Sequence, residues 1–398
     1  MKNIIKISLI ASMLVSASFA KDVDSLDAMF KDGKASGEIK SMYYGVDYKN
    51  AQGSYATAIG GLLNYKLANY NGFSGGIEFA TTYDIAALSG LDARKNDSLS
   101  STEKNYTQLT QAYISYDYDF LNITLGKQKL DTPLADSDDY AMIANSFNAY
   151  TFKADFTDLK VLGGSIVSWQ GVDASLDEGW VKISQDPTYF LGASYSNDLV
   201  DTNIWFYNIN GVKNDKTANN SFYTDLALHH KIDSNIEIGF ALQYLNQTEL
   251  DESGIASNIY GASLSTTTYG VNLSMAYNKS LKKSDKESFA GFGGGTLFTS
   301  MTNMTLNAIS ADRDADALIG SLSYELDNFN FSYAYGDFNG DASSRGVVEH
   351  IVEQTACVEY AIKNLTLGLV FTNENNKKGT TTNGGSWNDL RTSISYSF

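Results

Sequence analysis

Segments in which apolar and polar side chains alternate recur along almost the whole chain. Because successive side chains of a strand point to opposite faces, this period of two predicts β-strands that separate an apolar face from a polar one. The segment 393–398 shows the pattern well, since its serines alternate with Ile394, Tyr396 and Phe398. Such a segment is typical of the closing strand of a membrane-spanning barrel, although on its own it also fits an edge strand of a soluble β-sandwich.

Eighteen alternating segments are separated by turn-forming residues, and the connections between them are alternately short and long. The pattern predicts an all-β fold, a transmembrane antiparallel β-barrel of about 18 strands, which is wide enough to enclose an aqueous lumen. Short connections such as Asp119-Phe120 and Lys363-Asn364 are predicted periplasmic turns, which places the long connections on the outer side. The predicted strands cover residues 36–48, 54–67, 73–84, 106–118, 121–128, 148–156, 159–169, 188–196, 201–209, 220–231, 235–246, 257–265, 269–279, 315–326, 328–337, 348–362, 364–373 and 386–398.

The two faces of each predicted strand meet different surroundings. Ile238, Phe240 and Leu242 share one face of their strand and are expected to contact lipid. The same parity assigns charged side chains to the lumen, and the predicted pore-lining residues are Glu38, Lys40, Lys66, Glu78, Asp225, Lys231, Glu237, Glu353 and Arg391. Acids outnumber bases at the inward positions, so we predict a preference for cations. A mixed charge that simply keeps the interior wet is the alternative interpretation.

The start of the chain carries an export pattern. Lys2 and Lys6 precede an apolar stretch at 7–15, and Ser18-Phe19-Ala20 matches a small-x-small cleavage site, so residues 1–20 are predicted to be a signal peptide. Residues 21–34 then form a short periplasmic segment, with Ser25 as the cap of a short helix, and residues 35–398 form the barrel. No downstream apolar run reaches the roughly 20 residues that a spanning helix needs. The predicted location is the bacterial outer membrane.

Composition and charge narrow the classes of function. A single cysteine, Cys357, excludes an internal disulfide, and the counts of 26 Tyr and 20 Phe against 2 Pro favour strands. The formal charge of the whole chain is −17, and removal of the two lysines of the signal peptide leaves 27 basic against 46 acidic residues, a charge of −19. Nucleic acid is therefore excluded as a partner, because its phosphates require a basic surface.

Three short motifs resemble those of the OprD-type family of outer-membrane porins. They are the run 126–140, which begins Gly-Lys-Gln, the glycine-rich run 293–301, and the run 37–44 in the first strand. The resemblance implies a porin for small hydrophilic solutes, in which the third extracellular loop folds into the lumen and narrows it. It also implies a ladder of basic side chains that guides carboxylate-bearing substrates. The candidate constriction residues on this loop are Asp131, Asp136, Asp138, Asp139 and Tyr140.

The chain departs from that family in its arginines. It contains only four, and Arg391 alone falls on an inward position of a predicted strand. Lys40, Lys66, Lys127 and Lys231 could add a thinner basic track. We therefore predict passive diffusion of small solutes and ions with a preference for cations. A substrate-specific channel for amino acids or small carboxylates is the alternative.

The aspartates of the predicted constriction are interpreted as structural or solvated carboxylates, with a calcium site as the alternative. A calcium loop needs a turn glycine and a distal bidentate glutamate, and neither follows Asp136, Asp138 and Asp139. The glycine cluster 291–295 lacks the Gly-Lys-Ser/Thr ending of a phosphate-binding loop, so it is interpreted as a flexible loop. The sequence predicts neither a metal nor a cofactor.

Two other classes of function compete with a porin. An outer-membrane enzyme would need a catalytic motif, and the three histidines, His229, His230 and His350, accompany neither a Gly-x-Ser-x-Gly nor a His-Glu-x-x-His pattern. We therefore predict no catalysis. A nonconducting surface adhesin or anchor would use the long loops, at 86–105 and 280–314 for example.

The predicted partners follow from a barrel in the outer membrane. They are membrane lipid and lipopolysaccharide around the apolar wall, and small hydrophilic solutes in the lumen. The barrel-assembly machinery is expected to recognise the last strand through Phe398. Association as a homotrimer stays open, because an apolar wall in lipid gives the sequence no reason to mark an interface.

Overall fold

The computed structural model describes residues 22–91, 94–100, 105–138, 140–174, 179–183, 186–210, 217–378 and 385–398 of the 398-residue chain. Eighteen long strands form the wall of a barrel. They are β1 (Lys34–Tyr48), β2 (Ser54–Lys66), β3 (Phe73–Asp84), β4 (Tyr106–Tyr118), β5 (Leu121–Gln128), β6 (Ser146–Phe156), β7 (Leu159–Gln170), β8 (Thr188–Ser196), β9 (Val200–Ile209), β10 (Asn219–Lys231), β11 (Ile236–Glu249), β12 (Ser257–Thr268), β13 (Val271–Leu281), β14 (Ala315–Leu326), β15 (Phe329–Gly340), β16 (Glu349–Ile362), β17 (Leu365–Asn376) and β18 (Trp387–Ser397).

Each strand pairs antiparallel with its neighbours in the chain, and β1 pairs with β18 from Glu38–Ser397 to Tyr48–Trp387. This last pairing closes the sheet, so each of the 18 described wall strands is paired on both sides. The predicted barrel of 18 antiparallel strands is confirmed. Every predicted strand lies within three residues of an observed one at both ends. Among the largest differences are the loop-side ends of β11, β15 and β17, where the ladder continues beyond the segment in which alternation is regular.

The outward face of the wall is apolar. Ile238, Phe240 and Leu242 on β11 are exposed, as the parity of the sequence predicts, and their neighbours on the opposite face are mostly buried or polar. The same exposure is found on the other strands, including Phe329, Phe331, Tyr333, Leu367, Leu369, Phe371, Ile394 and Tyr396. An apolar belt of this extent would be unfavourable in water and is suited to lipid.

Tight connections lie at one end of the barrel and long ones at the other. At the tight end, Asp119, Thr157, Asp327 and Lys363 adopt positive φ between 51° and 63°, which allows two-residue turns. The first helix, α1 (Leu26–Lys31), begins at Ser25, whose hydroxyl accepts a hydrogen bond from the Ala28 amide at 3.2 Å, as predicted. In the part of the chain that the structure describes, no helix is long and apolar enough to cross a membrane.

The largest buried apolar cluster joins the wall to two long connections. From the wall it takes inward side chains of β8, β9 and β14, such as Phe190, Trp205 and Ile319. From the connections 129–145 and 282–314 it takes Leu134 and Phe292, together with further residues. These two connections therefore share a packed core with the inner face of one side of the barrel.

Candidate functional site

The connection 129–145 begins with a small hairpin. Asp131–Thr132 pairs antiparallel with Ala135–Asp136, and the Thr132 hydroxyl donates to the Ala135 carbonyl at 2.8 Å. At the tip, the Leu134 amide donates to the Tyr207 hydroxyl of β9 at 3.3 Å. Polar and apolar contacts thus hold the hairpin against the inward face of the wall.

The same connection also contacts side chains of β1 and β3. Lys40 Nζ donates to the Ala141 carbonyl at 2.7 Å, and Lys129 Nζ lies 3.2 Å from Glu78 Oε1. Glu78 is 3% exposed and accepts further hydrogen bonds from Thr110 and Gln111. Two residues that the sequence assigns to the lumen, Lys40 and Glu78, therefore bind the connection 129–145.

The second long connection, 282–314, docks on the hairpin. The Phe292 amide donates to the Leu134 carbonyl at 2.8 Å, and the Asp136 amide donates to the Phe292 carbonyl at 3.0 Å. Gly293 follows at φ +82°, and a Cβ there would lie 2.3 Å from the Asp136 carbonyl oxygen. Here a glycine of the cluster 291–295 permits close approach of two loops, a role that the interpretation as a flexible loop missed.

An opening of ≈ 720 Å³ lies between these connections and the strands β1 and β18. Its wall includes Asp138 and Tyr140 from the first connection, the stretch 300–305 from the second, and Arg391 from β18. Asp173, from the connection after β7, also borders it. Both acidic and basic groups therefore face this space.

Arg391 is held on several sides. Its guanidinium carbon lies 4.8 Å from the ring centre of Tyr44 and 5.5 Å from that of Tyr140, within the range of cation–π contacts. Nη2 donates to Asn303 Oδ1 at 2.7 Å, and Nε lies 3.3 Å from Asp389 Oδ1. Asp389 and Asn303 are functional candidates that the sequence reasoning missed. The inward parity shared by residues 389 and 391 could have identified Asp389, but nothing in the sequence connects Asn303 to β18.

Tyr140 joins the acidic side of the opening. Its hydroxyl donates to Asp173 Oδ1 at 3.0 Å, and Asn145 Nδ2 donates to Asp173 Oδ2 at 2.6 Å. Burial, and then the negative charge of Asp173, raise the pKa of the Tyr140 phenol. Tyr140 therefore stays a neutral hydrogen-bond donor, while Asp138 and Asp173 supply negative charge at the same opening.

The other predicted site residues lie elsewhere in the barrel. Glu353 is fully buried and meets the connection 282–314, while Asp131 is exposed and Asp136 is buried in the hairpin. Asp225 accepts hydrogen bonds from Asn203 and Tyr223 in the wall. Toward the end with the tight turns lie Glu38, Lys66, Lys231 and Glu237. Asp139 lies outside the described residues.

No group of three or more His, Cys, Asp or Glu side chains in the described ranges is arranged to hold a metal ion. No family model matches the chain, and no curated protein matches it in sequence.

Solved structures do match the chain over nearly its whole length. OccAB3 of Acinetobacter baumannii is 13% identical with a TM-score of 0.78, and the alignment covers 92% of this chain and 99% of that one. OccK9 (OpdG) of Pseudomonas aeruginosa is 15% identical with a TM-score of 0.77, over 93% and 99%. OpdK of the same organism, solved with vanillate, is 14% identical with a TM-score of 0.76, over 93% and 99%.

These proteins are outer-membrane porins of the OprD family. The resemblance that the short motifs indicate is thus confirmed at the level of the fold, which is that of an outer-membrane β-barrel.

Proposed function

We propose that this protein is an outer-membrane porin, a water-filled channel through which small hydrophilic solutes and ions diffuse passively. The observation that carries the proposal is the closed 18-strand wall, apolar outside, around an opening of ≈ 720 Å³ that is bordered by charged side chains. A barrel of this width leaves room for an aqueous lumen. Passive diffusion through such a lumen requires no catalytic group.

In this proposal the connections 129–145 and 282–314 fold into the lumen and form its constriction together. The support is that the first connection bonds inward side chains on separate parts of the wall, Lys40 and Glu78 on one side and Tyr207 on another. The second connection bonds the first through Phe292. A segment that is bonded to separate parts of the barrel wall narrows the lumen between them.

We further propose that the channel prefers cations. Asp138 and Asp173 border the opening, and the positive charge of Arg391 lies beside the carboxylate of Asp389. The local balance is therefore negative, which raises the concentration of cations at the narrow point.

Neutralising Asp138 tests this preference. The Asp138→Asn variant is expected to lower the ratio of K⁺ to Cl⁻ permeability by up to about thirtyfold, since one unit charge is worth about 1 kcal/mol at 4 Å in water and acts on K⁺ and Cl⁻ with opposite sign. Reversal potentials in a KCl gradient across a planar bilayer measure that ratio. Asp119→Asn is the matched control, because Asp119 occupies a tight turn at φ 52° that asparagine also tolerates. If wild type and Asp138→Asn gave the same reversal potential, Asp138 would not contribute to the ion selectivity.

A channel specific for small carboxylates is the second candidate. Arg391 favours it, because its guanidinium borders the opening and guanidinium groups bind carboxylates well. The neighbour OpdK was solved with vanillate, which is an aromatic carboxylate. Added vanillate should then reduce the ion current of wild type and have less effect on Arg391→Gln. An equal effect on the two proteins would eliminate this candidate.

The surroundings of the barrel complete the proposal. We propose that membrane lipid and lipopolysaccharide surround the exposed apolar belt, and that the barrel-assembly machinery recognises β18 and Phe398. A barrel that folds in lipid but passes no current would instead support a surface adhesin or anchor.

A further inference from the structure

The segment 287–304, here called the inner segment, is bonded along its length to polar side chains of the barrel wall. Gln247 of β11 uses both the oxygen and the nitrogen of its side-chain amide to bond the backbone of Phe289. Its Oε1 accepts from the Phe289 amide at 2.9 Å, and its Nε2 donates to the Phe289 carbonyl at 2.9 Å. A side-chain amide thus takes the place of a neighbouring strand.

Two more amides hold the middle of the inner segment. Gln243 donates from Nε2 to the Thr296 carbonyl at 2.9 Å and accepts the Phe298 amide at Oε1 at 3.0 Å. Asn278 of β13 accepts both the amide and the hydroxyl of Thr299 at 3.0 Å. Asn278 also donates to Gln243 at 3.0 Å, so the two amides orient each other. Both side chains are buried, so water cannot replace these hydrogen bonds if they are broken.

A carboxylate holds the far end. Glu353 of β16 is 0% exposed and accepts the Met304 amide at 2.7 Å and the Asn303 amide at 3.3 Å. The Thr355 hydroxyl donates to the same carboxylate at 3.0 Å. The oxygens of this one buried carboxyl group therefore accept two backbone amides of the inner segment and one wall hydroxyl.

The opposite side of the inner segment faces the constriction. Phe292 bonds the hairpin at Leu134 and Asp136, and Asn303 accepts from Arg391 at 2.7 Å. The inner segment therefore lies between the four wall side chains and the groups that border the opening.

We propose that four buried side chains of the wall are positioning residues, which determine the width of the opening without lining it. They are Gln243, Gln247, Asn278 and Glu353. They fix the inner segment, and the inner segment fixes the hairpin and Arg391. This inference rests on the proposed porin function. It assigns the width of the opening to buried side chains of the wall as well as to the connection 129–145.

Single-channel recording of Gln247→Met tests the proposal. Methionine has a similar length but cannot bond the Phe289 backbone, so the inner segment should detach at that point. The expected result is loss of the single steady open level, replaced by larger and fluctuating currents. Gln354→Met is the matched control, since Gln354 accepts from Tyr333 and has no bond to the inner segment among the described contacts. Heat-modifiable migration on gels confirms that each barrel is folded.

A reversible crosslink provides the rescue arm. The double substitution Asn278→Cys and Thr299→Cys is made in a Cys357→Ser background. It replaces the hydrogen bond of 3.0 Å between Thr299 Oγ1 and Asn278 Oδ1 by a disulfide. The oxidised protein should show one steady level, and reduction should convert it to the fluctuating currents. This arm decides the question even if Gln247→Met fails to fold.

The outcomes separate the two proposals. A folded wild-type barrel that passes no current would overturn the porin function and this inference with it. A conducting wild type whose level and noise are unchanged in Gln247→Met, or upon reduction of the crosslink, would overturn this inference alone.

Discussion

The neighbours of Arg391 reduce the effect of its positive charge on ions in this lumen. Its guanidinium lies against two tyrosine rings, beside Asp389 and bonded to Asn303. From the sequence, Arg391 is the only inward arginine and so an obvious anion-binding group. In the structure it is largely enclosed, and its neighbours offset part of its charge. Its contribution to selectivity therefore depends on contacts of which the sequence indicates one at most, that with Asp389.

Replacement of Arg391 by glutamine measures how strongly its charge still affects ion selectivity. Arg391→Gln removes one positive charge from the opening, so the ratio of K⁺ to Cl⁻ permeability should rise by up to about thirtyfold, given about 1 kcal/mol per charge pair at 4 Å in water, of opposite sign for the two ions. Reversal potentials in a KCl gradient measure the ratio. Arg345→Gln, at an exposed position of an outer connection, is the control and should leave the ratio unchanged. A fall in the ratio of Arg391→Gln would contradict the account.

At the scale of elements, the strands were predictable and the inner contacts were not. Strand positions follow from alternation and turn residues, which are local properties of the sequence. The contacts of Gln243, Gln247 and Asn278 join β11 and β13 to backbone groups that lie 21 to 55 residues away. In the sequence these amides look like ordinary inward polar residues. Only the closed barrel brings them to the inner segment.

The outer connections offer a pH test at this scale. Hydrogen bonds from Ser344, and then from Lys282, lower the pKa of Asp312 from 3.8 to about 2. Because this pKa is depressed, the contacts of the ionised carboxylate are fully present above pH 3.8 and are lost as the pH falls through about 2. Hydrogen exchange should show the Ser344 amide, which donates to Asp312 at 2.9 Å, protected at pH 4 and unprotected below pH 2.

The nearby Gly346 amide supplies the control for that experiment. It donates to the Ser343 carbonyl at 2.8 Å, and no carboxylate takes part in that bond. Its protection, after correction for the intrinsic exchange rate, should therefore be the same at both pH values. Loss of protection at Ser344 already near pH 4 would show that the Asp312 contacts do not hold.

At the scale of the whole molecule, closure of the sheet is what makes the wall stable in lipid. Every backbone group of a strand needs a partner there, and the pairing of β1 with β18 supplies the last set. The Gly37 and Phe398 amides exchange hydrogen bonds with each other's carbonyls at 2.9 Å, so the ladder extends to the last residue. The alternation at 393–398 predicted this closing role.

A proline in the closing strand tests this dependence. Ser393→Pro removes a ladder amide from the middle of β18, and a backbone group left without a partner in lipid costs several kcal/mol, so the yield of heat-modifiable barrel should fall sharply. Ser393→Ala keeps the amide and should fold like wild type. Equal yields of folded Ser393→Pro and Ser393→Ala would show that closure tolerates a missing bond.

The most direct test of the central claim is a recording of refolded protein in a planar bilayer with unequal KCl on the two sides. A porin with an acidic constriction predicts stepwise, steady conductance and a reversal potential on the cation-selective side. A folded, heat-modifiable barrel that gives no current would contradict the claim that this wall encloses a channel, and a reversal potential on the anion-selective side would contradict its proposed filter.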